Sequence, residues 1–145
     1  MFKVSAKLDC TLRALIMLGK TYDNKILSLN KISQSEGISK DFLAQLMLDL
    51  KRANIVESFK GILGGYILKK PPSEITLREI FEAVEGPINI IECIHTSETL
   101  CKIQETCCNK KIWAYIEKKI TKLLDSLTLE DLIRGIEKKE EILLP

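Results

Sequence analysis

The sequence lacks several features that would place it in a functional class at once. Its 145 residues include one histidine, four prolines and 6% aromatic residues. No stretch approaches the roughly 18 consecutive apolar residues that a membrane helix needs, and the first residues show no secretory signal. No phosphate-binding loop or other catalytic motif is present. These absences argue against a membrane protein, a secreted protein and a typical enzyme, and they predict an intracellular protein.

The residues that are present are typical of one globular domain, or of one domain with an appended element. Apolar residues make up 46% and charged residues 29% of the chain. Residues 1–70 carry 12 Lys and Arg against 6 Asp and Glu, a net charge of +6, whereas residues 71–145 carry 10 against 14, a net charge of −4. The basic first half is where a polyanion would bind, although uneven charge can also simply solvate two surfaces.

Hydrophobic spacing and capping residues predict three helices in the first half. Leucines at steps of four and three give the segment Ser5 to Lys20 one apolar face. Ser28 and Ser39 are predicted N-caps, while Gly37 and Asn54 are predicted to end the two helices that these serines start. Those two helices are predicted over Leu29–Glu36 and Lys40–Ala53. The short turn between them has the spacing of a helix-turn-helix.

The periodicity then changes from that of a helix to that of a strand. Residues 55–59 and 66–68 are predicted strands, and residues 60–65 form the hairpin loop between them. Three helices followed by a two-stranded hairpin predict a mainly α fold with a small β-wing, which is a winged helix-turn-helix.

The second half is predicted to contain three more helices. Thr76 and Glu79 form a capping box that starts a short helix over Leu77–Val84, and Thr128 with Asp131 starts the last short one. Between them, Asn109–Leu127 is predicted to be the longest helix, with an apolar stripe along one side. The stripe consists of Ile112, Ile116, Ile120, Leu123 and Leu127.

This apolar stripe has two interpretations. It can pack on its own chain, or it can pair with the same helix of a second subunit. We favour a homodimer, because a winged helix of about 70 residues has little spare surface to cover the stripe. The predicted domains are residues 1–72, the winged helix-turn-helix; residues 73–108, a linker helix and a cysteine-rich loop; and residues 109–145, a dimerisation helix and a short C-terminal helix.

The outward residues of the third helix are the candidate DNA contacts. In a helix-turn-helix the second helix enters the major groove, and a wing reaches the backbone or the minor groove. Gln45 can bond adenine twice, and Ser39 and the helix amides suit a phosphate. Lys51 and Arg52 are further candidates for phosphates, and the wing residue Lys60 is a candidate for a minor groove. Each residue alone can be plain solvated surface, but their joint placement favours nucleic-acid binding.

The cysteines point to metal or redox chemistry. Five cysteines in a chain without a secretory signal disfavour a disulfide framework. Four of them, Cys93, Cys101, Cys107 and Cys108, lie within 16 residues, and thiolates suit zinc or an iron-sulfur cluster. His95 is either a spare ligand or a solvated residue. Cys10 is interpreted as a small core or interface residue. A thiol enzyme that uses His95 is the least favoured alternative.

Three motifs together resemble the IscR/NsrR family of winged-helix repressors. They are Gly64–Leu68 before Pro71, Ile75–Leu77 leading to Ala83–Pro87, and Leu127–Leu129, and the resemblance spans residues 3–133. It implies a cytoplasmic homodimer that binds a palindromic double-stranded operator. It also implies an iron-sulfur cluster, 2Fe-2S or 4Fe-4S, that senses redox state, nitric oxide or cluster status.

The same resemblance assigns the cluster ligands. Cys93, Cys101 and Cys107 take the three cysteine positions, which leaves Cys108 as an extra thiol. The IscR-like histidine is replaced by Lys110, which as an ammonium does not ligate iron. The NsrR-like fourth ligand, an aspartate of the first helix donated by the partner subunit, is matched by Asp9. Cys108 and His95 stay open as alternatives, as does a cluster-free regulator that responds to a protein partner or to thiol oxidation.

The resemblance also implies DNA contacts in the third helix and the wing, although the sequence departs from the family pattern at two positions. The implied contacts are Ser39, Asp41, Phe42, Gln45 and Lys60, and the neighbouring residues Lys40 and Gly61 are further candidates. Ala44 stands where the IscR-like pattern has a glutamate that discriminates between operators, and Ile62 replaces a wing proline. A different operator sequence is therefore expected.

Overall fold

The computed structural model describes residues 3–23, 25–95 and 107–135. In these ranges the chain forms six α-helices, two strands and two 3₁₀ turns, at Pro72–Glu74 and Glu92–Ile94. The helices and strands are α1 (Ala6–Lys20), α2 (Leu29–Glu36), α3 (Lys40–Arg52), β1 (Val56–Phe59), β2 (Gly65–Leu68), α4 (Leu77–Glu85), α5 (Cys108–Ser126) and α6 (Leu129–Arg134). Across the described ranges, every helix is too short or too polar to cross a bilayer.

Local capping chemistry sets the limits of the helix-turn-helix. Ser28 Oγ accepts from the Lys31 N–H at 3.1 Å, and Ser39 Oγ accepts from the Phe42 N–H at 3.4 Å. Gly37 ends α2 at φ 65°, a left-handed conformation that glycine adopts without steric cost. Asn54 follows α3 at φ 59°. The predicted caps and stops are confirmed, and each cap of this kind is worth about 1 kcal/mol.

One face of each N-terminal helix forms the core. The fully buried residues of α3 are Leu43, Leu46, Met47 and Leu50. They pack with Leu15 and Ile32 of the two preceding helices. Because these apolar residues recur every three to four positions, the opposite face of α3 stays in solvent.

The wing is a short antiparallel hairpin. Val56 pairs with Leu68 and Phe59 with Gly65, and the two residues of the first pair are buried at the base of the hairpin. A backbone bridge from Leu27 to Tyr66 fixes the hairpin to the segment before α2. Three helices and this hairpin make the winged helix-turn-helix that the sequence predicts.

The second half packs back on the first. The predicted capping box of Thr76 and Glu79 starts α4, and a second box starts α6. Leu129 of α6 is fully buried in the shared core, and a Cβ on Gly19 of α1 would collide with Ile133 of α6. The described chain thus has one continuous core, and the boundaries of the three predicted domains stay predictions.

Helix α5 is the least covered element. Its 19 residues include none that is buried, although it contacts α4 and the 3₁₀ turn at Glu92–Ile94. Ile112, Tyr115 and Leu123 are 56%, 60% and 40% exposed. The predicted apolar stripe is therefore only partly covered by its own chain.

Candidate nucleic-acid interface and metal centre

The N-terminal half of α3 presents the predicted DNA contacts on one surface. Its exposed residues are Ser39, Lys40, Asp41, Phe42, Ala44 and Gln45. Leu43 and Leu46 anchor the helix from the opposite face with no exposed area. A rigid helix with this polar face can present side chains to base edges in a major groove.

Ser39 combines a structural role with a binding role. Its hydroxyl caps α3 by accepting from the Phe42 N–H at 3.4 Å. A hydroxyl can accept one bond and still donate another, so Ser39 can cap the helix and contact a phosphate oxygen together. The partial positive charge of the helix N-terminus favours the same anion.

A lysine of α3 contacts the wing. Lys51 Nζ donates to Ser58 Oγ of β1 at 2.8 Å, a contact that the sequence analysis did not anticipate. Arg52 extends into solvent with a side chain that is 70% exposed, 3.9 Å from Asp49. Lys60 and Gly61 are exposed where the chain leaves β1. Lys51 therefore joins α3 to the first strand of the wing, and the predicted contacts Arg52 and Lys60 are exposed.

Two of the three predicted cysteine ligands flank the segment 96–106, and the third, Cys101, lies outside the described residues. Cys93 is half-buried in the 3₁₀ turn before that segment, and Cys107 is the half-buried N-cap of α5 after it. Cys108 is exposed at the first position of α5. The turn and α5 are in contact.

The environment of Cys107 suits a metal ligand. Its Sγ accepts from the Lys110 N–H at 3.4 Å, at the N-terminus of α5. Within the described part of one chain, no three His, Cys, Asp or Glu side chains form a group that could hold a metal ion. The donor chemistry of Cys93 and Cys107 fits an iron-sulfur cluster, and completing the predicted set requires Cys101 and a ligand of the partner subunit.

Asp9 is connected to the helix-turn-helix through Arg13. The Asp9 side chain is 60% exposed on α1, and its Oδ2 lies 3.8 Å from Arg13 Nη1. Arg13 Nε lies 3.1 Å from Oε2 of Glu36, the last residue of α2. A second hydrogen bond joins Arg13 Nη2 to the Glu36 carbonyl oxygen. A ligand bound at Asp9 would thus act close to the turn that precedes α3.

His95 has a defined partner in the structure. Its Nε2 lies 2.7 Å from Glu117 Oε1 of α5, and the other carboxylate oxygen accepts from the Ile90 N–H at 3.0 Å. The Glu117 side chain is 12% exposed. Burial raises its pKa, but the hydrogen bonds from Ile90 and His95 outweigh burial and hold the pKa below its ordinary value.

The sequence analysis missed Glu117, although a signal was present. Glu117 lies four residues after Trp113 and three before Ile120, which puts a carboxylate on the covered side of an amphipathic helix. A charge at such a position needs a partner. Cys10 is half-buried against the core, in line with the prediction for it.

Comparisons with known proteins agree with this architecture. The sequence profile of Rrf2, described as an iron-dependent transcriptional regulator, matches residues 4–135. The chain is 32% identical over 139 residues to the HTH-type transcriptional regulator CymR of Bacillus subtilis, covering 96% of this chain and 95% of CymR. It is 30% identical over 146 residues to the HTH-type transcriptional regulator NsrR of the same bacterium, covering 97% and 94%.

Solved structures show the same likeness. CymR of B. subtilis, named as the global cysteine regulator of that bacterium, superposes with a TM-score of 0.75 at 32% identity, covering 92% of this chain and 98% of CymR. T. potens IscR superposes with a TM-score of 0.73 at 29% identity, covering 94% and 90%.

Proposed function

Because this chain belongs to the Rrf2 family of helix-turn-helix transcriptional regulators, we propose that it represses transcription as a homodimer bound to a palindromic operator in the cytoplasm. The resemblance to the IscR/NsrR regulators is confirmed by the relatives that carry those names. The observation that carries the proposal is the exposed N-terminal half of α3 beside a wing that Lys51 holds in place.

In this proposal α3 occupies the major groove of each half-site. Gln45 bonds an adenine edge, a contact worth about 1–3 kcal/mol of base discrimination. Phe42 is 38% exposed and packs against a thymine methyl group. Ser39, Lys40 and the amides at the start of α3 hold the phosphates, which fixes the register of the helix on the duplex.

The homodimer in the proposal forms through α5. The exposed residues Ile112, Tyr115 and Leu123 give this helix an apolar surface. A cavity of about 700 Å³ lined by Phe81, Trp113 and Ile120, among others, lies between α4 and α5. Burying this surface against a second copy would remove apolar area from water and set the spacing of the two recognition helices.

The sensing part of the proposal is an iron-sulfur cluster on Cys93, Cys101 and Cys107, with Asp9 of the partner subunit as the fourth ligand. Such a cluster would supply redox chemistry and reactivity toward small molecules such as nitric oxide or oxygen. The chain's own residues would transmit a change at the cluster to the helix-turn-helix. Cys107 is the N-cap of α5, and the bonds of Glu117 hold the turn that carries Cys93. Arg13 connects Asp9 to α2.

A second candidate function keeps DNA binding and replaces the cluster by thiol chemistry. The observation in its favour is the exposed thiol of Cys108 beside Cys107, together with the likeness to the cysteine regulator CymR. Metal content distinguishes the two candidates, because the thiol regulator would hold no iron or sulfide.

DNA binding is tested by selecting duplexes from a randomised pool and measuring affinities by fluorescence anisotropy. We expect the wild type to enrich a two-fold symmetric sequence. Gln45→Ala should bind that sequence about 10- to 100-fold more weakly, with an unchanged salt dependence, because it removes a base contact and no phosphate contact.

The matched control is Lys122→Ala, which removes an exposed charge from α5. We expect its operator affinity to equal that of the wild type. Failure to enrich any sequence, or equal affinity of Gln45→Ala and Lys122→Ala, would contradict the proposed function.

A further inference from the structure

The tip of the wing exposes two large apolar side chains. Ile62 is 103% and Leu63 is 90% exposed, the two highest values among the large hydrophobic residues of the described chain. Tips of tight turns are usually occupied by Gly, Pro, Asn, Asp or Ser. Two adjacent apolar side chains at full exposure gain nothing from the fold itself, so an external contact is the natural explanation.

The turn that carries them is closed. The Gly64 N–H donates to the Gly61 carbonyl oxygen at 3.0 Å, which places Ile62 and Leu63 at the two corner positions. Gly61 has φ 104°, a conformation that favours glycine. A Cβ on Gly64 would collide with the Phe59 carbonyl oxygen. The glycines therefore shape a tight loop that projects both apolar side chains.

The surroundings of this tip are basic. Lys60 is exposed immediately before the turn. Lys51 of α3 donates from its Nζ to Ser58 Oγ in the same hairpin, at 2.8 Å. Residues 1–70 as a whole carry a net charge of +6. A polyanion is thus the partner whose charge complements the surface around the tip.

Two side chains are too few for a stable contact with another protein, which needs about 800 Å² from each partner. They do match the apolar wedges that minor-groove proteins insert between base steps. We propose that Ile62 and Leu63 form such a wedge, which enters the minor groove of bound DNA beside Lys60 and partly unstacks a base step there. This inference rests on the proposed DNA-binding function and adds a mode of DNA deformation to it.

The wedge makes a distinct prediction about DNA. Pyrimidine–purine steps unstack more easily than other steps, so the selected operators should carry one where the wing reaches the minor groove. Apolar insertion contacts no phosphate, so it should contribute to affinity without contributing to the salt dependence. The bound duplex should also be bent away from the straight form.

The test compares Ile62→Ser/Leu63→Ser with Lys60→Ala on the operator selected by the wild type. We expect the double variant to bind about tenfold more weakly with an unchanged slope of log affinity against log salt, and to lose the bend measured by resonance energy transfer across the duplex. Lys60→Ala should reduce the magnitude of that slope by about 1. Val4→Ser, a control at an exposed apolar residue that precedes α1, should match the wild type.

Several outcomes would overturn the wedge. Wild-type affinity and bend in the double variant, with weakened binding by Lys60→Ala, would refute the wedge and keep the DNA-binding function. A changed sedimentation coefficient of the double variant would assign the tip to a contact between copies of this chain. Failure of the wild type to select any DNA would refute the proposed function itself. Equal thermal midpoints of all variants would show that folding is unaffected.

Discussion

Glu117 shows how one nearly buried carboxylate organises the segment around Cys93. Its two oxygens bond Ile90 and His95, which lie on either side of that cysteine in the sequence. The carboxylate belongs to α5, so these two bonds hold the turn that carries Cys93 against the longest helix. Through these bonds α5 would position a cluster ligand at Cys93, which precedes the segment 96–106. Helix α5 also carries Cys107, which follows that segment, as its N-cap.

We expect substitutions of Glu117 to lower the free energy of unfolding, and to lower it more when more of its hydrogen bonds are lost. Glu117→Ala removes both acceptors and should lower the free energy of unfolding by about 1–3 kcal/mol. Glu117→Gln keeps an oxygen that accepts from the Ile90 N–H and should cost less than half as much. Urea unfolding followed by the fluorescence of Trp113, the one tryptophan of the chain, measures both values.

The control is Glu130→Ala. Glu130 pairs with Arg134 one helical turn away, with a side chain that is 37% exposed, and such surface pairs contribute little. Equal destabilisation by Glu117→Ala and Glu130→Ala would show that the Glu117 contacts do not stabilise the fold.

Residue-level prediction from the sequence succeeded where the partners are neighbours in the chain. The caps Ser28, Ser39 and Thr76 bond amides three residues away, so their positions follow from the local sequence. The partners of Glu117 are distant in the chain and become neighbours only when the turn at Glu92–Ile94 meets α5. His95 was accordingly interpreted as a ligand or a solvated residue, whereas the structure pairs it with a carboxylate.

At the scale of elements, α5 combines a covered side with an exposed apolar side. A glutamate placed on the exposed side would have to be buried in a dimer interface, and burying an unpaired charge is costly. Ile112→Glu should therefore raise the dimer dissociation constant by about 100-fold or more, while each subunit keeps its helical content.

Sedimentation equilibrium measures this change, with circular dichroism as the check on folding. The matched variant Lys118→Glu changes the charge at an exposed residue on the side of α5 away from Ile112 and Leu123, and it should remain a dimer. A wild type that is monomeric at micromolar concentration, or an Ile112→Glu variant that stays dimeric, would contradict pairing through α5.

Hydrophobic periodicity and capping residues predicted the elements closely, since both are local properties of the sequence. The caps predicted α2 with the bounds that the structure has, and α4 one residue short. The sequence did not predict that α6 packs on α1, because an apolar face shows that a helix needs a packing partner but not which element that partner is. The apolar wing tip was not predicted, because two residues in a turn show no periodicity. Its only sign in the sequence was Ile62 in place of a wing proline of the family pattern.

At the scale of the whole molecule, one chain joins three parts that a sensor needs to couple. Helix α3, the proposed DNA-reading helix, follows α2, whose last residue is bonded by Arg13. Asp9 lies beside that arginine, Cys93 lies in the 3₁₀ turn that contacts α5, and Cys107 is the N-cap of α5. A bond from Asp9 to a cluster held by the other subunit would thus connect the α5 of one subunit to the helix-turn-helix of its partner.

The coupling requires cluster-loaded and cluster-free protein to differ in operator affinity. Coupling free energies between two sites are typically about 1–3 kcal/mol, or about 5- to 150-fold in affinity. The sequence could place the ligand residues on the chain but could not arrange them in space, because Asp9 and the cysteines come together only in the dimer that we propose.

The most direct test of the account is anaerobic purification followed by analysis of iron, sulfide and zinc and by visible absorption, on the wild type, Cys101→Ala and Cys10→Ala. Cys10 is packed against the core and is not among the proposed ligands, so its variant controls for the loss of a cysteine as such. We predict iron and sulfide in the wild type and in Cys10→Ala, and neither in Cys101→Ala. A colourless wild type without iron and sulfide would contradict the cluster and leave a DNA-binding regulator that responds through its thiols.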